Sequence, residues 1–168
     1  HAVAASILGL DASKVQIHTL WAGGSFGRRA IANAHYVAEA AMLAKAWGKP
    51  DPVKIVWSRE DDIKGGYYRP MYVHRVKAGL DGEGNLVAWH HRIVGQSILT
   101  GTPFESFMVK DGIVATSVEG VADMPYAIPN FHGELHPLKV GVPVLLWRSD
   151  GHTHTAYVVE TMIDDLAK

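Results

Sequence analysis

The sequence predicts an α+β fold in which a mixed β-sheet carries helices mainly on one face. Residues 71–80 and 85–96 alternate between apolar and polar side chains around Asp81-Gly82-Glu83-Gly84, which is a strong signal for a β-hairpin. Residues 30–47 and 153–166 instead show the three- and four-residue apolar spacing that is typical of helices. The predicted order is therefore strand, helix, strand, hairpin, strand and helix, without internal repeats.

The first third of the chain predicts alternating helices and strands. Residues 2–10 are rich in alanine and leucine and predict a helix that ends near Gly9. Residues 15–20 have a period of two, which predicts a strand. The alanine-lined helix predicted for residues 30–47 should pack closely on the sheet. Residues 53–57 form a second strand candidate, and residues 58–61 have the spacing of a capping box that opens a short helix.

The pattern after the hairpin is weaker. Glycines and prolines interrupt residues 97–130, so we expect a long connection with one or two short helical turns. Residues 131–146 return to strand character. Thr153 or Thr155 is predicted to cap a final helix with an apolar stripe. We expect residues 1–168 to form a single domain.

The composition excludes several functional classes. The chain has 168 residues, 48% of them hydrophobic, and a formal net charge of -1, so it offers no basic surface for nucleic acid or anionic membranes. Cysteine is absent, which excludes disulfides and thiolate-based metal sites. Apolar runs such as residues 141–147 are far shorter than the ~20 residues that span a bilayer. Because His1 lies inside helical sequence, we expect the chain to be a piece of a longer protein.

A glycine-rich segment is the main candidate for binding. It runs Trp21-Ala22-Gly23-Gly24-Ser25-Phe26-Gly27-Arg28-Arg29, between a predicted strand and a predicted helix. Main-chain N–H groups at such a turn can converge on an anion, and the guanidinium groups can bind phosphate bidentately. A plain turn remains an alternative interpretation. The segment lacks the G-x-G-x-x-G of dinucleotide-binding folds and the Lys-Ser or Lys-Thr of a phosphate-binding loop in nucleotide hydrolases.

The histidines and carboxylates predict no metal site and no catalytic pair. No two histidines have the His-Glu-x-x-His spacing of a metal site, although three pairs are close in sequence: His90 and His91, His132 and His136, and His152 and His154. We expect surface or hydrogen-bonded histidines. The carboxylates of residues 60–62 are expected at a solvated helix start.

The glycine segment resembles a family signature. Gly-Gly-Ser-Phe-Gly-Arg-Arg is similar to the Gly-Gly-Gly-Phe-Gly-Arg-Arg of molybdopterin-binding subunits like that of isoquinoline 1-oxidoreductase, in the xanthine dehydrogenase and aldehyde oxidase family of molybdenum hydroxylases. Further segments resemble the family in the same order: residues 53–61, Tyr67-Tyr68-Arg69-Pro70, Gly141-Val142-Pro143-Val144, Trp147-Arg148-Ser149, Gly151-His152-Thr153 and residues 160–167.

The resemblance implies a cofactor site. Molybdopterin, expected in its cytosine dinucleotide form, holds molybdenum through a dithiolene. The implied cofactor-binding residues are Gly23, Gly24, Ser25, Phe26, Gly27, Arg28, Arg148 and Ser149. The chain departs from the family pattern at two positions, because Ser25 replaces a usual glycine and Asp150 replaces a usual apolar residue.

The resemblance also implies what this chain lacks. The family's base is a glutamate in a Gly-x-Gly-Glu segment near the C-terminus of the whole polypeptide, and no such segment occurs in residues 1–168. We therefore expect no catalytic residue in this chain. The expected partners are the remaining domains of its own subunit, a subunit with iron–sulfur clusters and a small-molecule substrate, an aldehyde or N-heteroaromatic compound. An alternative from another class is a non-catalytic α+β module whose glycine loop binds a different phosphate-bearing ligand. The family's cytoplasmic and periplasmic locations both remain open.

Overall fold

The computed structural model describes all residues from 1 to 168. It contains two compact units, residues 1–66 and residues 67–168. The first unit contains helices and the second contains two sheets and further helices, which confirms the α+β prediction. None of the helices has the length and apolar character needed to cross a membrane.

The first unit is helical. It contains α1 (Ala2–Leu8), a 3₁₀ turn (Ala12–Lys14), α2 (His35–Trp47) and α3 (Arg59–Lys64). The predicted glycine ends α1, since Gly9 has a left-handed φ of 69°. The predicted capping box is also confirmed: Ser58 Oγ accepts from the Asp61 amide at 3.1 Å, and the Asp61 carboxylate accepts from the Ser58 amide at 3.3 Å.

Three predictions for this unit are wrong. Residues 15–20 and 53–57 form no strands, because no neighbouring strand in the unit offers them hydrogen bonds. Helix α2 begins at His35 rather than Ala30. Ala34 has a φ of 46°, a left-handed conformation that the interior of an α-helix cannot contain, so the helical pattern cannot extend further towards the N-terminus.

The second unit contains both sheets. Strands β1 (Tyr72–Leu80), β2 (Leu86–Gln96) and β5 (Asn130–Leu138) form a three-stranded sheet in the order β1-β2-β5. The predicted hairpin is β1 and β2, whose antiparallel register pairs His74 with Ile93. Strand β5 lies parallel to β2 and pairs His132 with His90. The sheet is therefore mixed, as predicted.

The long connection between β2 and β5 contains short elements. They are α4 (Glu105–Met108), a small antiparallel pair of β3 (Val109–Lys110) and β4 (Ile113–Val114), and α5 (Ala115–Val118). The short helical turns were predicted and the β3–β4 pair was not. Two-residue strands are too short to show an alternating pattern.

Helix α6 (His152–Leu166) covers one face of the three-stranded sheet. Its Val159 is 1% exposed and packs in one cluster with Trp89 and Ile93 of β2. The threonine-cap prediction is wrong, since the N-cap is Gly151. The Thr155 hydroxyl donates instead to the main-chain carbonyls of Gly151 and Glu119.

Candidate functional site

The glycine segment forms an exposed loop of unusual backbone conformation. Gly24, Phe26 and Gly27 have φ values of 107°, 52° and 85°. A Cβ at Gly24 would lie 2.8 Å from the Phe26 ring, so the ring packs over a position that only glycine fits. A left-handed phenylalanine is strained and is found mainly where function or tight packing requires it.

The amides of this loop are open. The nearest main-chain hydrogen bonds are donated by the Arg28 amide to the Ser25 carbonyl at 2.9 Å and by the Ala30 amide to the Gly27 carbonyl at 3.0 Å. The amides of residues 24–27 themselves donate to no atom of the chain. Except for the half-buried Gly27, these residues are exposed. Four consecutive donors are thus available to a ligand.

The position of the loop differs from the sequence prediction in one respect. The first residue of α2, His35, lies eight positions after Gly27. The macrodipole of a helix acts within its first turn, so it cannot attract an anion to this loop. Any attraction must come from the loop amides and from nearby cationic side chains.

Arg28 and Arg29 line a cavity of about 520 Å³ in the first unit. Arg28 Nη2 donates to Nε2 of His35 at 2.8 Å. Burial, followed by the positive charge of Arg28, lowers the pKa of His35, so this imidazole stays neutral beside the guanidinium. Glu39 and Asp62 also line the cavity, which therefore carries both signs of charge.

The second predicted segment, around Arg148 and Ser149, lies in the second unit. The Arg148 carbonyl accepts from Arg69 Nη2 and from Thr153 Oγ1, both at 3.1 Å. Ser149 and Asp150 have φ values of 68° and 36°, a strained turn directly before α6. The first group of predicted residues, 23–28, belongs to the other unit.

The structure gives Asp150 a local role. Its Oδ1 accepts from the Trp147 amide at 3.0 Å, and its own amide donates to the Trp147 carbonyl at 2.8 Å. Asp150 therefore closes the turn that presents Arg148 and Ser149. This contact accounts for a carboxylate where the family pattern has an apolar residue.

Three histidines that the sequence patterns did not bring together form a series in the second unit. His74 Nδ1 lies 2.8 Å from His91 Nε2, and His74 Nε2 lies 3.0 Å from His154 Nδ1. His91 is fully buried, and the Tyr72 ring stacks on His154 with 3.7 Å between centroids. The alternation along β1 could have placed His74 on the apolar face with Tyr72 and Val76. The contact of His74 with His154 of α6 joins distant parts of the sequence, so no local pattern indicates it.

These histidines are held neutral. Burial, followed by the neighbouring histidines, lowers the pKa of both His91 and His154 to about 4. His154 also lines a small cavity of about 10 Å³ with Arg69, Trp147 and Asp150. This volume holds roughly one water molecule. The hydrogen bonds join the three imidazoles from this cavity to the core, where His91 Nδ1 has no partner.

Comparison with known proteins identifies the family. The sequence model of the molybdopterin cofactor-binding domain family matches residues 1–168. The chain belongs to this family. The resemblance to the molybdopterin-binding subunits of molybdenum hydroxylases is thereby confirmed, and the open loop amides fit an anionic cofactor that the main chain can approach.

Three relatives illustrate the range of the family. The chain is 29% identical to isoquinoline 1-oxidoreductase subunit beta of Brevundimonas diminuta, over 98% of this chain and 21% of the relative. It is 32% identical to the membrane-bound aldehyde dehydrogenase [pyrroloquinoline-quinone] of Gluconacetobacter polyoxogenes, over 82% and 16%. It is 29% identical to a probable xanthine dehydrogenase subunit of Bacillus subtilis (strain 168), over 97% and 20%. No solved structure matches the chain.

The chain spans about a fifth of the length of these relatives. The family is therefore established for one cofactor-binding region. The substrate, the electron acceptor and the partners of a whole enzyme are matters for proposal.

Proposed function

We propose that this chain forms part of the molybdopterin cradle of a molybdenum hydroxylase, with the loop of residues 23–28 as one cofactor contact and Arg148 with Ser149 as another. The observation that carries the proposal is the row of open amides at residues 24–27 in a loop with three positive φ values. Such N–H groups bind an anionic group without the flexibility of side chains. The whole chain, residues 1–168, would act as one cofactor-binding domain.

The arginines supply the charge that the loop lacks. The cofactor carries phosphate, and Arg28 and Arg29 line a cavity large enough for a nucleotide-sized group. His35 stays neutral and accepts from Arg28, so it orients the guanidinium without competing for the anion. We assign the phosphate end of the cofactor, expected as the cytosine dinucleotide form, to this cavity.

In the second unit the turn at residues 147–150 is fixed before any ligand binds. The Arg148 carbonyl is held by two donors, and Asp150 closes the turn. A main chain fixed in this way offers the Ser149 amide in a defined orientation, which reduces the cost of ordering it on binding. These residues would position the cofactor and the substrate.

The proposed reaction needs groups beyond this chain. The bound molybdenum would supply hydroxylation of an aldehyde or N-heteroaromatic carbon, with water as the oxygen source. The base glutamate is expected further along the whole polypeptide, and iron–sulfur clusters in a partner subunit would receive the electrons. Residues 1–168 alone would bind and orient, and would have no activity.

Cofactor loading tests the proposal. The full-length protein is expressed in a host that makes the cofactor, and molybdenum and pterin are measured per polypeptide. Gly24→Ala should lower both several-fold, because an added Cβ collides with the Phe26 ring and disfavours the positive φ. Gly82→Ala is the matched control, since a Cβ there meets no atom within 4 Å. A wild-type protein without molybdenum and pterin, or equal loading of the two variants, would refute the proposal.

The alternative function is a non-catalytic module that binds another phosphate-bearing ligand through the same loop. The cavity lined by Arg28 and Arg29 is the observation that favours it. The reading frame discriminates the two functions, because a downstream Gly-x-Gly-Glu segment is required only by the hydroxylase. Its absence from the complete polypeptide would favour the alternative.

A further inference from the structure

The face of the three-stranded sheet that α6 does not cover carries a cluster of imidazoles around one carboxylate. His132, Glu134 and His136 alternate along β5, so their side chains share this face. Parallel pairing places His90 of β2 opposite His132, and Arg92 of β2 opposite Glu134. The cluster therefore depends on the strand register, and the His-Glu-x-x-His spacing of a helix could not reveal it.

Three donor atoms of this cluster converge. Nε2 of His90 contacts Oε1 of Glu134, and Nε2 of His132 lies 3.6 Å from the same oxygen. All three atoms lie within 4.8 Å of one another. Donor atoms of a tetrahedral zinc site lie roughly 3.3 Å apart, given metal–ligand distances near 2.0–2.1 Å. Side-chain adjustments that change these separations by at most about 1.5 Å would bring the three atoms to that spacing.

Arg92 and His136 hold the carboxylate of Glu134 in place. Oε2 accepts from Arg92 Nε at 2.9 Å and contacts His136 Nε2 at 2.9 Å, while Arg92 Nη2 donates to Oε1 at 3.2 Å. A carboxylate has about four lone-pair sites, and these three contacts and that of His90 occupy all of them, so a metal ion would take the site on Oε1 that His90 leaves when its Nε2 becomes a ligand. Arg92 and His136 would orient the carboxylate in the way that outer hydrogen bonds orient metal ligands.

We propose that His90 Nε2, His132 Nε2 and Glu134 Oε1 form a binding site for one divalent transition-metal ion, with zinc as the best match. Two imidazoles and one carboxylate suit zinc and its neighbours, whereas magnesium and calcium prefer sites built of oxygen alone. In the proposed function the cofactor holds molybdenum, so the ion bound here would be a second metal.

The surroundings leave room for a fourth ligand. His90 and His132 both line an open cavity of about 600 Å³, together with Lys77 and Phe131. Three protein ligands with an accessible fourth position are typical of zinc sites that bind water or a small molecule. The positive charges of Lys77 and Arg92 favour occupation of the fourth position by an anion or hydroxide.

Zinc titration of the purified full-length protein tests the proposal, with zinc chloride competed against a chromogenic chelator. The wild type should bind one equivalent more than the double variant His90→Gln and His132→Gln. His132→Gln alone should weaken binding at least about tenfold. His132 is the most exposed of the three ligands, with 69% of its side chain accessible, so its loss should leave folding intact.

His18→Gln is the control for the loss of one imidazole, because His18 is exposed and lies in the other unit. Its zinc affinity should stay equal to that of the wild type. Thermal unfolding in EDTA reports whether each variant is folded. Cobalt gives a second readout, because a visible d–d absorption band should appear with the wild type and with His18→Gln, but not with the double variant. Equal zinc binding by the wild type and the double variant would overturn the proposal, as would an equal loss in His132→Gln and His18→Gln.

Discussion

The neutral state of His154 predicts a specific acid sensitivity. Burial, His74, His91 and Arg69 together lower its pKa from 6.5 to about 4. One pKa unit corresponds to 1.36 kcal/mol, so protonating this imidazole in the folded protein costs about 3 kcal/mol more than in the unfolded chain. That is a large fraction of the 5–15 kcal/mol by which proteins of this size are usually stable.

The sign follows from proton binding. Between pH 6.5 and 4 the unfolded chain binds the proton and the folded protein does not, so acid favours unfolding. The contribution is complete above pH 6.5, falls as the pH drops through this window, and falls no further below pH 4. At pH 4.5 roughly 2.5 kcal/mol of it should be lost.

His154→Gln should therefore change the order of stability with pH. At pH 7 the variant should be about 1 kcal/mol less stable than the wild type, because it loses the Tyr72 stacking and weakens the contact to His74. At pH 4.5 the variant should be more stable by roughly 1.5 kcal/mol, because glutamine does not titrate.

Urea unfolding at pH 7, 5.5 and 4.5 measures these differences. The chain has five tryptophans in the two units, so hydrogen exchange of the amides of β2, whose Trp89 is 1% exposed in the core, reports the transition of this unit. His18→Gln, at an exposed position of the other unit, is the control and should shift no midpoint. If the wild type and His154→Gln lose stability in parallel as the pH falls, the explanation by a buried neutral imidazole is wrong.

Three further changes should alter stability by known mechanisms. Gly151→Ala should cost about 3 kcal/mol, since its Cβ would lie 1.9 Å from the Thr116 carbonyl oxygen, whereas Gly141→Ala meets no atom within 4 Å and should shift the urea midpoint little. Ser58→Ala removes the cap of α3 and should cost the first unit about 1 kcal/mol, seen as lost helical circular dichroism on heating. Val159→Ala empties space beside the core and should cost about 2 kcal/mol in calorimetry, and an unchanged melting temperature would contradict this packing.

Local patterns predicted those parts of the fold that depend on local contacts. The β1–β2 hairpin was predicted because its alternation and its turn lie in one continuous segment. Helix α6 was predicted because its apolar stripe has the helical period. Residues 15–20 also have an alternating pattern, but a strand requires a partner, and the sequence does not show whether one is present.

For the candidate site too, the sequence predicted the local feature and not the contacts between distant segments. The glycine loop stands out in the sequence because glycines and arginines are adjacent there, and its amides are open as expected. The prediction that a helix starts directly after the loop was wrong, because Ala34 adopts a left-handed conformation. Alanine favours helices, so its identity gives no sign of this conformation. The His74 series depends on the packing of α6 against the hairpin, and the Glu134 cluster depends on the parallel pairing of β2 with β5, so no local pattern could predict either complete set.

The segments of the first unit without regular secondary structure have a consequence for the behaviour of this chain in solution. Residues 16–22 and 53–57 make no main-chain hydrogen bonds, and the Leu20 and Val56 side chains beside them are 80% and 75% exposed. A peptide edge of this kind templates the addition of another strand. At high concentration, copies of residues 1–168 should therefore associate edge to edge into β-rich aggregates, unless another polypeptide segment occupies these edges first.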